Sequence, residues 1–233
     1  MGENCQEMGQ RIFGTLICQN AIPDIIRSIE SVAPYVEEYF IMDGGSKDGT
    51  WEWLNKYKDV YHLTLFQHPY DDQGMQRNRL ISKIPKNVWC LNIDQDEQIL
   101  CPGLQEYVDS ISLDVIAGRG RDLPLTLRIP CINLVDDLLH YNDNTMMFMA
   151  TKFFYNDKNL HFTPGYHMSI CYYEGEQNAN MIPVPEEWII KHYAYLDNER
   201  LEKSSKDPKR YYLPEEWDRN NWKVTNLPAK WKK

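Results

Sequence analysis

The chain has 233 residues, with 25 Lys+Arg against 34 Asp+Glu, a formal charge of −9. Its 42% hydrophobic and 25% charged residues suit a globular protein with a sizeable core, and exclude a disordered chain, a collagen and a coiled coil. The acidic balance argues against a nucleic-acid binder.

The start, MGENCQEMGQR, is polar and lacks the apolar run of a signal peptide. Arg11 to Cys18 (RIFGTLIC) reads as a strand. Ile22, Ile25, Ile26, Ile29, Val32, Ala33 and Val36 follow with the i, i+3, i+4, i+7 spacing of one buried helix face. Glu38 to Met42 is a short apolar strand that stops at Asp43-Gly44-Gly45. Thr50 is placed to cap a helix through Trp51 and Leu54. Val60 to Gln67 reads as a third strand, Gly74 to Ile84 as a third helix, and Val88 to Ile93 as a fourth strand. This alternation predicts βαβ units and a parallel sheet, whose ligands bind beyond the carboxyl ends of the strands. Asn20, Asp43, Asp94 and Asp96 fall at those ends.

The second half reads differently. Leu125 to Leu134, Thr145 to Tyr155 and His161 to Tyr173 look like strands with little helix between them, an antiparallel addition. Glu187 to Tyr195 is apolar and aromatic, and a charged helix follows near Asn198 to Lys206. From residue 201 onward there are nine Lys/Arg and five Asp/Glu, so the acidic excess lies before it. One domain over 1–233 is the simplest division. The six cysteines, at 5, 18, 90, 101, 131 and 171, form no C-x-x-C pair and read as free thiols in a reducing, cytoplasmic setting.

Three stretches and one histidine carry chemistry. Asp43 to Thr50, DGGSKDGT, matches neither a P-loop nor an EF-hand loop. Asp43 at a strand end could accept a hydrogen bond from a nucleobase or ribose while Gly45 lets a ligand approach; the same residues also make a tight turn with a helix cap. Asp94-Gln95-Asp96-Glu97 ends a hydrophobic strand. Carboxylates converging on one cleft repel unless something positive lies between them, and Mg²⁺ or a like ion resolves this with one or two carboxylates and substrate phosphates. Arg77, three and four positions before Leu80 and Ile81, shares their inward helix face, where it suits an anion or a paired acid. His192 is a further imidazole for such a metal, although a histidine in an aromatic strand is also an ordinary core residue.

In this order the motifs resemble the family-2 glycosyltransferases of the GT-A fold, in particular the bacterial lipopolysaccharide-type members. The carriers are TLICQNAIPDIIRSIESVAPYVEEYFIMDGGSKDGT, QGMQRNRLI and LNIDQDE, with looser likeness in GYHMSI and HYAYLDNERLEKSSK. The resemblance implies an α/β, GT-A-like (Rossmann-like), mostly parallel sheet flanked by helices, with a mixed or antiparallel C-terminal acceptor part. Residues 11–100 would be the nucleotide-sugar-binding half, 101–210 the acceptor half and 211–233 a basic aromatic tail.

The resemblance also implies roles. Asp43 would bind the base, Asp94 the ribose or a metal-bound water, and Asp94, Asp96 and His192 together would make the metal site, with Asp96 ligating Mn²⁺ or Mg²⁺. Asn20, Gly45, Arg77 and Lys203 would serve the nucleotide and its diphosphate. The activity would be a metal-dependent, inverting transfer of a sugar from a nucleotide-sugar, a UDP-sugar by preference, to a carbohydrate or glycolipid hydroxyl. Met168 stands where the group has a glutamate, so the base falls to Glu174 or Glu186, with Glu176 and Asp143 behind them. The rivals are a nucleotidyltransferase and a non-catalytic nucleotide- or carbohydrate-binding homologue. The tail, with Tyr211, Tyr212, Trp217, Trp222 and Trp231, is either docked or a peripheral membrane or acceptor contact.

Overall fold

The computed structural model describes residues 9–112, 125–135, 137–142, 148–157, 160–165, 170–171, 180–193 and 223–232. Its first elements alternate as the pattern predicts. Strand β1 (Ile12–Cys18) leads into helix α1 (Asp24–Val32) and a short 3₁₀ turn (Ala33–Tyr35). Strand β2 (Glu38–Asp43), helix α2 (Thr50–Tyr57), strand β3 (Leu63–Gln67), helix α3 (Gln73–Ile81) and strand β4 (Trp89–Asn92) follow. The third strand begins three residues later than its composition suggests, because the chain turns at His62 with a positive φ of 51°. The third helix begins at Gln73 because Asp72 caps it, its carboxylate accepting the Met75 N–H at 2.9 Å. Thr50 lies inside its helix rather than at the cap; the Asp48 carboxylate receives the Thr50 N–H at 3.0 Å instead.

Beyond β4 come strand β5 (Glu97–Leu100) and helix α4 (Leu104–Asp109), neither expected from the sequence pattern. Strands β6 (Leu125–Asn133), β7 (His140–Asn142), β8 (Phe148–Tyr155), β9 (His161–Phe162), β10 (Ile170–Cys171), β11 (Asn180–Ile182), β12 (Ile189–His192) and β13 (Val224–Asn226) complete the described elements. The main sheet runs β3-β2-β1-β4-β8-β6-β12-β5, with β11 also on β6. The first four strands are parallel; β8 is antiparallel to both β4 and β6, as the second half's pattern anticipates.

Both faces of the parallel half are buried. Along β1, Ile12 and Leu16 join a core with α1 residues Ile25, Ile29 and Val32, while Phe13 and Ile17 join the opposite core with Leu80 and Ile81 of α3. Burial on both faces is why these strands read as unbroken apolar runs. A third cluster gathers Ile132, Leu134, Ile189, Tyr193, Leu227 and Trp231. Trp231 is thus buried and β13 pairs with β7. This end of the tail is docked, and Trp231 is not available to a membrane or an acceptor. Tyr211, Tyr212, Trp217 and Trp222 lie outside the described residues, as does the helix expected near 198–206.

Helix α3 is clamped to the second half. The Asn78 amide donates to the Phe162 carbonyl at 2.8 Å and accepts the Phe162 N–H at 2.7 Å. The Asp72 carboxylate accepts the Gly165 N–H at 2.8 Å. Gly74 faces this contact, and a Cβ there would lie 2.0 Å from the Thr163 carbonyl oxygen. Alanine normally favours a helix over glycine by ~1 kcal/mol, but overpacking against backbone outweighs that. Gly74→Ala is expected to destabilise the fold by about 1–3 kcal/mol, read as a lower urea midpoint at unchanged slope; a gain in stability would contradict the clamp.

Candidate functional site

The strand order places a topological switch between β1 and β4, so the chain leaves a crevice beyond their carboxyl ends. Two loops close its floor. The Asn20 backbone, at a positive φ of 50°, donates to Ser46 Oγ at 2.8 Å, and Asn20 Oδ1 accepts the Lys47 N–H at 2.8 Å. Thr50 Oγ1 accepts the Ala21 N–H at 2.9 Å. The β1–α1 and β2–α2 loops are therefore stitched by side chain to backbone at several points. Across the crevice, Gln95 Oε1 accepts the Gln19 N–H at 2.9 Å.

Asp43 is fully buried, and its own turn engages its carboxylate. Oδ1 accepts the N–H groups of Gly45 and Ser46, each at 2.9 Å, and the Gln67 amide at 3.0 Å. Oδ2 accepts the Ser46 hydroxyl and faces Cys18 Sγ at 3.8 Å. Burial, then the Asp43 carboxylate, pushes the Cys18 thiol well above its ordinary range. The expected direct contact from Asp43 to a base is not what this geometry offers; the carboxylate builds the turn instead. Gly45, at φ 92°, has open space where a Cβ would be, so that side of the turn admits a ligand.

Arg77 meets the second of its expected partners, an acid of the chain. It is buried, and its guanidinium donates to Asn92 Oδ1 and pairs with Asp94 Oδ1, beneath the Phe162 ring. The helix face points inward as its spacing predicts, but the anion it meets is a carboxylate of the chain. Asp94 Oδ2 is held in turn by Lys152 Nζ at 2.5 Å. Lys152 comes from β8 and also reaches Glu97 Oε2 at 2.9 Å. Glu97 Oε2 accepts the Asp94 N–H at 2.9 Å, and Ser28 Oγ donates to the Asp94 carbonyl at 3.0 Å. Burial opposes charge on Asp94, yet Lys152 and Arg77 hold its carboxyl well below the usual range. Burial raises Glu97, only partly offset by Lys152. Burial also works against the Lys152 charge, but Asp94 and Glu97 overcome it and raise this ammonium.

Asp96 and His192 are brought together. His192 Nε2 stands 3.4 Å from Asp96 Oδ2, because β12 pairs antiparallel with β5 and sets His192 opposite Glu97. The Tyr193 N–H donates to the Asp96 carbonyl at 2.9 Å. His192 Nδ1 donates to Asn133 Oδ1 at 2.8 Å, which leaves Nε2 as the ring's acceptor nitrogen in the neutral tautomer. An imidazole oriented from behind in this way is the arrangement of a metal-ligating histidine. Among the described residues, no three His, Cys, Asp or Glu side chains are grouped to hold a metal. Asp96 and His192 are the pair that could hold an ion, with phosphate and water completing its shell.

Glu186 is strongly exposed, in the turn that precedes β12, and pairs with Lys230 at 3.0 Å. Glu174, Glu176, Asp143, Met168 and Lys203 lie outside the described residues. Lys152 and Asn133 were missed. The available signal for Lys152 was a single charge inside MMFMATKFFY.

Residues 15–119 match the family model of glycosyl transferase family 2. That match covers just under half of the chain. The whole fold is of GT-A type. It resembles Staphylococcus aureus TarS 1-349 in complex with UDP-GlcNAc at a TM-score of 0.50 and 13% identity, over 78% of this chain and 58% of that one. It resembles GalNAc-T7 with UDP, GalNAc and Mn²⁺ at 0.51 and 13% identity, over 82% of this chain and 45% of that one. The chain thus spans about half the length of these structures, and at such identity the likeness is of fold. No curated protein matches the chain in sequence. No helix among the described residues is long and apolar enough to cross a membrane.

Because Asp94 ionises below the usual carboxylate pKa of about 3.9, its contribution is present above that value and is lost as pH falls through the folded value. Asp94→Asn should cost about 2–3 kcal/mol at pH 7, less than a fully buried pair because the side chain keeps 29% exposure. Its deficit against wild type should narrow as pH drops below about 4. Urea unfolding across that range checks this; a deficit independent of pH would contradict the pairing.

Proposed function

We propose that the chain transfers a sugar from a nucleotide-sugar, a UDP-sugar by preference, to an acceptor hydroxyl with inversion. The observation that carries this is the Asp96–His192 pair at the mouth of a switch-point crevice in a chain whose residues 15–119 match the family-2 model. The donors in the two similar structures support the choice of UDP-sugar. The turn built by Asp43, with Gly45 open, would bound the nucleotide on one side. Asn20, tied to Ser46 and Lys47, would keep that wall rigid.

Asp96 and His192 would hold a divalent ion, Mn²⁺ or Mg²⁺, which when bound supplies Lewis acidity to the leaving diphosphate. Asn133 would keep Nε2 of His192 directed at it. Gln95 and Gln19, bonded across the crevice, would orient the acidic turn against the nucleotide. An inverting transfer needs a base in reach of the acceptor hydroxyl. With Glu186 paired to Lys230, Glu174 is the remaining first choice, and Lys203 is proposed for the diphosphate. The free thiols at Cys18, Cys90, Cys101 and Cys131 support a cytoplasmic setting.

A panel of nucleotide-sugars with Mn²⁺, read for released nucleoside diphosphate, tests the reading. Turnover with a UDP-sugar is expected, and Asp96→Ala should lower it roughly 10²-fold or more. Nucleotide binding by thermal shift without turnover would favour a binding homologue. No response to any nucleotide would sink both readings.

A further inference from the structure

Lys152 belongs to none of the family-like stretches, and it comes from the half of the chain beyond the parallel strands. A lysine this enclosed, 12% exposed on its side chain, is uncommon unless it is paired. Here it is paired twice, to Asp94 at 2.5 Å and to Glu97 at 2.9 Å. Arg77 takes the other oxygen of Asp94. Both carboxylate oxygens of Asp94 therefore face cations of the chain, while Asp96, two residues on, meets His192. Three carboxylates, Asp94, Asp96 and Glu97, stand against two fixed cations, Arg77 and Lys152. Replacing Lys152 by an apolar residue would leave Asp94 Oδ2 and Glu97 Oε2 with a shared vacancy for positive charge. A divalent cation held at Asp96 and His192 would be the one to fill it.

We propose that Lys152 is a built-in counter-ion that confines a divalent cation to Asp96 and His192 by occupying the position against Asp94 that the cation would otherwise take. The inference rests on the metal reading given above. Lysine suits this role because its compact ammonium has three donors and can bridge two carboxylates, on a stem that packs along a strand. By excluding the ion from the strand ends, Lys152 keeps it outward, where a diphosphate can share it.

The test is Mn²⁺ titration of the full chain, following free Mn²⁺ by electron paramagnetic resonance and the protein by thermal shift. Lys152→Met should bind Mn²⁺ at least ~10-fold tighter, since a positive charge beside the site is gone and Asp94 can ligate. Adding Asp94→Asn to that variant should reverse most of the gain, and Lys152→Arg should keep wild-type affinity. Donor turnover at saturating Mn²⁺ should fall in Lys152→Met through kcat rather than the donor KM. Should that variant not fold, Lys152→Met with Glu97→Gln carries the same comparison. It removes one charge of each sign, so tighter Mn²⁺ binding there reports the freed Asp94 oxygen alone. Unchanged or weaker affinity in whichever of the two variants folds overturns the inference and leaves the metal reading standing. Absence of Mn²⁺ binding in the wild-type protein overturns both.

Discussion

The site depends on one arrangement of charge, the buried chain of Asn92, Arg77, Asp94, Lys152 and Glu97. Its members come from β4, α3, the acidic turn, β8 and β5. No single element could hold Asp94 ionised in so enclosed a place, because burial alone drives a carboxyl toward its neutral form. Two cations from opposite sides reverse that outcome. The turn after β4 is then pinned by side chain at Asp94 and Glu97, by the Asp94 N–H, and by Ser28 on its carbonyl. Asp96 projects from a turn with almost no freedom left, which is what a precise ligand needs.

The second constraint is the stitching of loops beyond β1 and β2. Loops at strand ends are ordinarily the mobile part of an α/β fold. Here Asn20, Ser46, Asp48 and Thr50 exchange hydrogen bonds between two loops, and Asp43 anchors the second loop from within. The DGGSKDGT stretch is therefore chiefly a device for shaping backbone. Its acids look like ligands in the sequence because acids that bind their own chain and acids that bind a substrate have the same letters.

That ambiguity sets how much was legible. Strands β1, β2 and β4 were readable because burial on both faces leaves an unbroken apolar signal. The helix face of α1 was readable from its spacing, and the site's position followed from strand ends alone. Which acid faces what was not readable, since Arg77 and Lys152 reach Asp94 from 17 residues before it and 58 after it. Strand β5 was hidden because Glu97 read as the end of an acidic turn, although Glu97 and Ile99 are its inward positions. Asn78 read as part of a motif, whereas its amide clamps the backbone of Phe162.

The net charge of −9, taken as a total, sets an acidic cleft against an anionic donor. The unfavourable field depends on local sums, not on the total. Arg77 and Lys152 cancel most of what Asp94 and Glu97 contribute, so the turn's remaining acid is Asp96, which meets His192. A single divalent ion on Asp96 and His192, as proposed above, would then turn that local sign positive, where three unpaired carboxylates would not allow it. The two cations of the chain would neutralise the acids that build the turn, and the ion would serve the substrate. Because Lys152 is supplied by β8, that division exists only once the second half has folded onto the first. The crevice is thus electrostatically complete only in the assembled domain.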